Sequence, residues 1–239
     1  MIDVLITRVD EVLGVAEHCA SEEDRRAAFA RANADARRRT LAGRAALRLL
    51  AAWRCGVPRA AAQDIAITRS CPDCAAPHGR PVSEMLALSS STSGAHVLVA
   101  VADAHDAIGV DIETVPPRLW PHFDAYALHE RERAALPAAG TAPGRIARIQ
   151  AWALKEAALK ASGSGLRTAP AAVRFDAAPA ADSGGWLRVH GARSAGRGAL
   201  DARPIPTDGT ARAALASDRP GEVLLHGLNE LLGRRSGTR

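Results

Sequence analysis

Two long stretches of helical periodicity, each followed by a set of short strand-like runs, limit what this chain can become. The first runs from Asp35 to about Trp53 and is stopped by Gly56-Val-Pro58. A shorter helix precedes it, its start marked by the polar cap and acidic first turn of Ser21-Glu-Glu-Asp24. Ile65–Ile67, Met85–Leu88 and Val97–Ala102 then read as strands. Ala107–Glu113 reads as the antiparallel return of the last of these, across a turn at Asp103–Asp106. Pro116-Pro117 breaks the pattern. A helical stretch follows around Trp120–Leu136. The second long helix spans about 145–161 and ends at Gly163-Ser-Gly165. Behind it come strands at Val173–Asp176, Trp186–His190, roughly Gly198–Arg203 and Ala211–Ser217. An apolar periodic tail covers Glu222–Leu232, and Arg234–Arg239 read as a frayed end. The expected class is therefore α+β in two comparable halves, residues 1–115 and 116–239, each a small antiparallel sheet packed with helices.

With aromatic residues at 3%, Ala, Leu and Val must build most of the core. No run of about 18 apolar residues occurs, and the N-terminal stretch is interrupted by Asp3, Arg8 and Asp10, so neither a membrane span nor an export signal is expected. That points to a cytoplasmic protein. The formal charge of +5 suits an anionic ligand or an acidic protein partner. Without basic blocks and interleaved aromatics, it does not suit nucleic acid.

The 31 basic residues include only two lysines, Lys155 and Lys160. An ammonium is a compact, tunable point charge, so two lysines in one segment mark a place where Arg would not serve. Chance within an Arg-biased chain is the other reading. Cys71-Pro-Asp-Cys74, with His78 nearby, has the spacing of half a zinc site. No second Cys pair follows, and a Pro-rich surface loop is the competing reading.

In Gly109-Val-Asp111-Ile-Glu113, a strand would put Asp111 and Glu113 on one face and Val110 and Ile112 on the other. Two adjacent carboxylates repel unless a cation sits between them, and Mg²⁺ is typically held by one or two carboxylates with phosphates and water. A solvated acidic face is the alternative. On the second long helix, Glu156 falls within the stripe of Ile149, Trp152, Ala153 and Leu159, with Lys160 beside it. A core-facing carboxylate needs a partner or a metal, although a surface Glu–Lys pair at i, i+4 would look the same. Arg37, Arg44 and Arg48 form one stripe of guanidinium groups that either hold phosphates or face solvent. Ser89–Ser93 is a hydroxyl-rich loop able to cradle a phosphate, or a plain polar turn.

Taken together and in order, these blocks resemble the 4′-phosphopantetheinyl transferases, of the long single-chain type that activates peptide and polyketide synthases in secondary metabolism. The match rests on Gly79-Arg80-Pro81, Ser91-Thr92-Ser93-Gly94, Gly109-Val-Asp111-Ile-Glu113 and Trp152-Ala-Leu-Lys155-Glu156-Ala-Ala-Leu159-Lys160. Arg39-Thr-Leu-Ala-Gly43 leading to Arg48 supports it, and the similarity covers roughly residues 21–176. The resemblance implies two halves related by a pseudo-twofold axis, with coenzyme A in the cleft between them. Asp111, Glu113 and Glu156 would hold Mg²⁺, or Mn²⁺ in its place. Lys160 would contact phosphate and assist the leaving group, with Lys155 also on the coenzyme. Arg48, Arg80, Ser91 and Thr92 would grip the adenosine 3′-phosphate. Glu132, with Glu130 as rival, would take the proton of the carrier serine. The implied reaction moves phosphopantetheine from coenzyme A to a serine of an acidic acyl or peptidyl carrier domain, the enzyme acting as a monomer. The sequence departs from the family's frequent His at Thr92 and Lys at Arg80, and it has Asp24 and Ala27 where the family carries lysines.

Overall fold

A computed structural model describes residues 1–71, 74, 76–176, 185–194 and 198–233. The Arg234–Arg239 tail lies outside them. The class is mixed α+β, with largely antiparallel sheets packed against helices. Among the described residues no helix is long and apolar enough to cross a membrane.

The chain divides into two compact units. The first contains Met1–His105 and Gly221–Arg239. It opens with strand β1 (Ile2–Arg8) and the short helices α1 (Val9–Leu13) and α2 (Glu22–Phe29), followed by the long helix α3 (Ala34–Cys55). Ser21 starts α2 through a reciprocal capping box with Asp24, with bonds of 3.1 and 3.2 Å. Gly56, at φ 68°, ends α3 in the left-handed conformation that glycine adopts without a steric penalty. The strands are β2 (Thr68–Arg69), β3 (Pro81–Val82), β4 (Leu86–Ser93) and β5 (His96–Asp103).

The second unit, Asp106–Pro220, holds β6 (Ile108–Thr114), α4 (Phe123–Ala127), α5 (Glu130–Ala135) and α6 (Ala142–Ser162). Strands β7 (Arg174–Phe175), β8 (Leu187–Ser194), β9 (Gly198–Ile205) and β10 (Ala211–Ser217) complete it. The chain then returns to the first unit with β11 (Val223–His226) and α7 (Leu228–Gly233).

In the first unit the sheet order is β11-β1-β5-β4, and α3 packs its Leu47 and Leu50 with Leu88, Val99 and Val101. The β1–β11 pair is parallel and the others antiparallel. In the second unit the order is β6-β10-β9-β8-β7, antiparallel throughout, with Leu154, Ala157, Ala158 and Ala161 of α6 buried in the same core as Leu200 and Ala214. Small Ala side chains let helix and sheet approach closely, as the scarcity of aromatics requires.

Several sequence expectations change here. Ala107–Glu113 does not pair with the strand before it. Both edges of β5 are taken, by β1 and β4, so β6 pairs with β10 instead. The boundary therefore falls at 105/106 rather than at 116, and the tail is a strand and short helix of the first unit. The hydroxyl-rich loop is the second half of β4, with Ser91 opposite Leu98 and Thr92 opposite Val97. Trp120–Leu136 is two short helices rather than one.

The parallel edge of the first sheet carries a titratable lock. The His226 ring nitrogens face Asp3 at 2.8 Å and Glu230 at 3.0 Å, and Asp3 also accepts from Arg54 at 2.7 Å. Burial alone would lower the imidazole pKa, but the bonds to Asp3 and Glu230 outweigh it and raise the value above 6.5. A raised folded pKa gives stability that is complete below the ordinary value and is lost as pH rises through the folded one. Urea melts at about pH 6 and about pH 8.5 should therefore show a loss at high pH that His226→Asn removes. A parent and variant with the same pH dependence would contradict this.

Candidate functional site

The second unit brings the strand and helix blocks into register. A Cβ on Gly109 would come within 2.1 Å of the Ala157 carbonyl oxygen and 2.4 Å of the Ala161 nitrogen. Only glycine lets β6 lie directly on the backbone of α6. From that contact, Asp111 and Glu113 follow on the same face of β6, two and four residues on. They meet α6 one and two turns back, at Glu156 with Lys160 and at Trp152. Lys160 Nζ donates to Asp111 Oδ1 at 2.6 Å and to the Val110 carbonyl at 3.1 Å. Trp152 Nε1 donates to Glu113 Oε1 at 3.4 Å. The Trp152 ring packs among Trp120, Phe123 and Tyr126, at 5.7–6.1 Å between centroids. Asp111 is 2% exposed, so the solvated-face reading does not hold for it.

Glu156 is half-buried, and its Oε1 is shielded from solvent without a hydrogen-bond donor. Burial, then the negative charge of Asp111, push its pKa up to about 7, with Glu113 adding to the rise and Lys160 opposing it. The carboxylates are not drawn together within 4.8 Å as a closed set. Like charges hold apart until a cation bridges them. An all-oxygen donor set of two or three carboxylates, one with a buried acceptor atom that no hydrogen bond fills, fits a hard divalent cation such as Mg²⁺.

Lys155 and Glu132 are paired with each other. Lys155 is 0% exposed, and its Nζ donates to Glu132 Oε2 at 2.5 Å and to the Pro170 carbonyl at 3.2 Å. Burial pulls the Lys155 pKa down and Glu132 opposes that pull. Glu132 also caps α5 by accepting from the His129 N–H at 2.8 Å, which leaves Oε1 buried without a bond. Glu130 is exposed in the first turn of α5.

In the first unit Arg48 is likewise committed. It is 4% exposed, pairs with Asp24 and donates to Ser21 Oγ and to the Gln63 and Ile65 carbonyls. Four of its five N–H groups are thereby used. Asp24, itself 4% exposed, also accepts from Arg44 at 3.2 Å. Burial would raise the Asp24 carboxyl, but Arg48 and the Ser21 bonds hold it below the ordinary value. Arg37 does not join this group: it donates to the Arg31 carbonyl and lies over Phe29.

The stripe's useful member is Arg44. With Arg31, Arg39, Arg69 and His78 it lines a cavity of about 150 Å³, whose other wall is Ser90, Ser91 and Thr92 at the open edge of β4. Thr92 packs its methyl on α3, where Gly43 leaves it room. Arg80 is exposed and follows Gly79 at the rim. Burial and then the charge of Arg44 push the Arg69 pKa down to about 10. Cations already crowded against one another favour an anion, and the volume suits a phosphate with water. Arg31, Arg39 and Arg69 were not singled out as ligands from the sequence; the Arg39 block was noted only as leading to Arg48. Cys71, Cys74 and His78 are gathered on the loop between β2 and β3.

No curated protein matches the chain. Residues 107–201 match the family model of the 4′-phosphopantetheinyl transferase superfamily, and this stretch is a domain of that superfamily. It contains Asp111, Glu113, Glu132 and the whole Trp152–Lys160 block, while Arg48, Arg80, Ser91 and Thr92 precede it.

Proposed function

We propose that this chain transfers the phosphopantetheine arm of coenzyme A to a serine of an apo acyl or peptidyl carrier protein. The observation that carries the reading is the close Gly109 contact, which sets Asp111 and Glu113 against Glu156 and Lys160 within the matched superfamily domain.

The serine oxygen attacks the β-phosphorus of the pyrophosphate, the bond to the bridging oxygen breaks, and adenosine 3′,5′-bisphosphate leaves. Asp111, Glu113 and Glu156 would hold the divalent cation, which when bound supplies Lewis acidity and charge neutralisation at the pyrophosphate. Lys160, anchored at Val110, brings a positive charge to the departing phosphate. Glu132, its Oε2 held by Lys155 and the His129 N–H, is assigned the serine proton. Lys155 is thus a positioning residue: an ammonium fits a fully buried point where a guanidinium would not. The +5 charge favours encounter with an acidic carrier. Incubation with coenzyme A, Mg²⁺ and apo carrier domains should release adenosine 3′,5′-bisphosphate, seen by chromatography and abolished by EDTA. Release that persists in excess chelator would overturn the metal assignment, and none with any carrier would overturn the function.

The arginine cavity is assigned to the 3′-phosphate, with Arg44 and Arg69 replacing Arg48 as its direct contacts. A charge-assisted hydrogen bond is worth about 1.5–3 kcal/mol. Arg69→Ala should therefore weaken coenzyme A roughly tenfold or more while changing dephospho-coenzyme A little. Equal losses for the two ligands in calorimetry would contradict the assignment.

A further inference from the structure

We propose that Cys71, Cys74 and His78 bind one zinc ion, which fastens the loop between β2 and β3 at the rim of the arginine cavity. The reaction above uses none of the three.

One ligand atom from each of the three lies within 4.8 Å of the other two, and Cys74 Sγ stands 3.1 Å from His78 Nε2. A tetrahedral zinc with Zn–S of about 2.3 Å and Zn–N of about 2.0–2.1 Å needs ligand separations of roughly 3.5–3.8 Å. The group therefore has to open slightly at Cys74–His78. Two thiolates and an imidazole select zinc over Mg²⁺, which takes oxygen.

The backbone is folded to bring the three together. The Ala76 carbonyl accepts from both the Cys71 N–H at 3.0 Å and the His78 N–H at 2.7 Å. Gly79, at φ 100°, passes so close to Ser70 and Cys71 that a Cβ would stand 3.3 Å from the Ser70 oxygen. The loop is tied down from outside by Arg44, which donates to the Pro77 carbonyl at 2.9 Å, and by Arg69, which donates to the Gly79 carbonyl at 2.9 Å. The β2–β3 pairing closes its base. Cys71 is 9% exposed, whereas Cys74 and His78 face solvent, so an ion can enter from outside. On binding, both thiols release their protons to solvent and the neutral imidazole ligates through Nε2; water completes the fourth position. Because His78 lines the arginine cavity, the ion would hold one of the cavity's own walls.

The full chain, kept reduced and stripped with a chelator, is titrated with Co²⁺. Thiolate-to-cobalt charge-transfer absorption should saturate at about one equivalent per chain and disappear on addition of Zn²⁺. A Cys71→Ser/Cys74→Ser double variant should lose at least about nine-tenths of the signal, and Cys55→Ser should keep it. Should the double variant fail to fold, alkylation of the unaltered chain decides: Zn²⁺ should slow labelling of Cys74 at least about tenfold and leave Cys55 unchanged. No saturable absorption, a signal retained by the folded double variant, unprotected Cys74, or a Cys71–Cys74 disulfide in the reduced protein would each overturn the proposal.

Discussion

Glu156→Gln should lower phosphopantetheine transfer at least about a hundredfold, corresponding to roughly 2.7 kcal/mol of lost transition-state stabilisation. It should nevertheless leave the unliganded chain as stable as the parent or more so. On the proposed function the charge of Glu156 serves a cation and phosphates rather than the fold, so the two effects should separate. Burial and the neighbouring charges of Asp111 and Glu113 push its pKa up to about 7. A carboxyl whose folded pKa is raised costs stability as pH rises from its ordinary value of 4.5 through about 7. Gln keeps the shape and never ionises, so above that range the variant should melt at or above the parent. It should also lose the stabilisation that Mg²⁺ and coenzyme A together give the parent. Thermal melts with and without ligands, beside a transfer assay, measure all three effects. An active variant that melts well below the parent without ligands would make Glu156 a structural residue.

Asp24→Asn should strongly destabilise the first unit. Asp24 is the buried counterion of both Arg44 and Arg48, and its carboxylate also closes the capping box of α2. Removing the charge takes the buried carboxylate from Arg48 and leaves Arg44 with Glu23 at 4.0 Å, a loss of about 3–5 kcal/mol and a fall of roughly ten degrees or more in the midpoint. The parent's share of this stability is present above the ordinary carboxylate pKa and is lost as pH falls through the lowered folded value. The variant should therefore show a flatter acid limb. Inorganic phosphate should restore part of the loss by supplying an anion to the arginine cavity. A variant that melts with the parent would show that Asp24 does not hold the arginine pair.

What the sequence made legible follows the distance between interacting residues. Asp111, Glu113, Glu156 and Lys160 could be found because each block is local: alternation along β6 and the 3.6-residue period of α6 fix which residues share a face. The glycine that joins the two blocks was visible only as part of the motif. Its contact with Ala157 and Ala161 spans about fifty residues and has no local signature. The same limit explains Arg48. It lies on the expected helix stripe, but Asp24, 24 residues earlier, claims its guanidinium. That left Arg44 and the unforeseen Arg69 for the cavity.

The two lysines, conspicuous by composition, sit in two different settings. One is buried on Glu132 and the other lies beside Asp111. Strand pairing was the least legible feature. A four-residue turn before β6 suggests a hairpin, and nothing near it reveals that β1 already occupies that edge of β5. The parallel pairing of β11 with β1 joins residues more than two hundred apart in the chain. The hydroxyl run after Leu88 reads as a loop by residue type, yet β5 supplies a ladder partner for each of its residues.

The most direct test of transfer is the intact mass of an apo carrier domain after incubation with the chain, coenzyme A and Mg²⁺. The mass should rise by one phosphopantetheine group, on the carrier serine alone. It should stay unchanged when that serine is Ala or when EDTA is present, and it should rise at least about a hundredfold more slowly when Glu156→Gln replaces the parent. An unmodified carrier across a panel of acyl, peptidyl and aryl domains, or a modification that survives loss of the serine, would contradict the account.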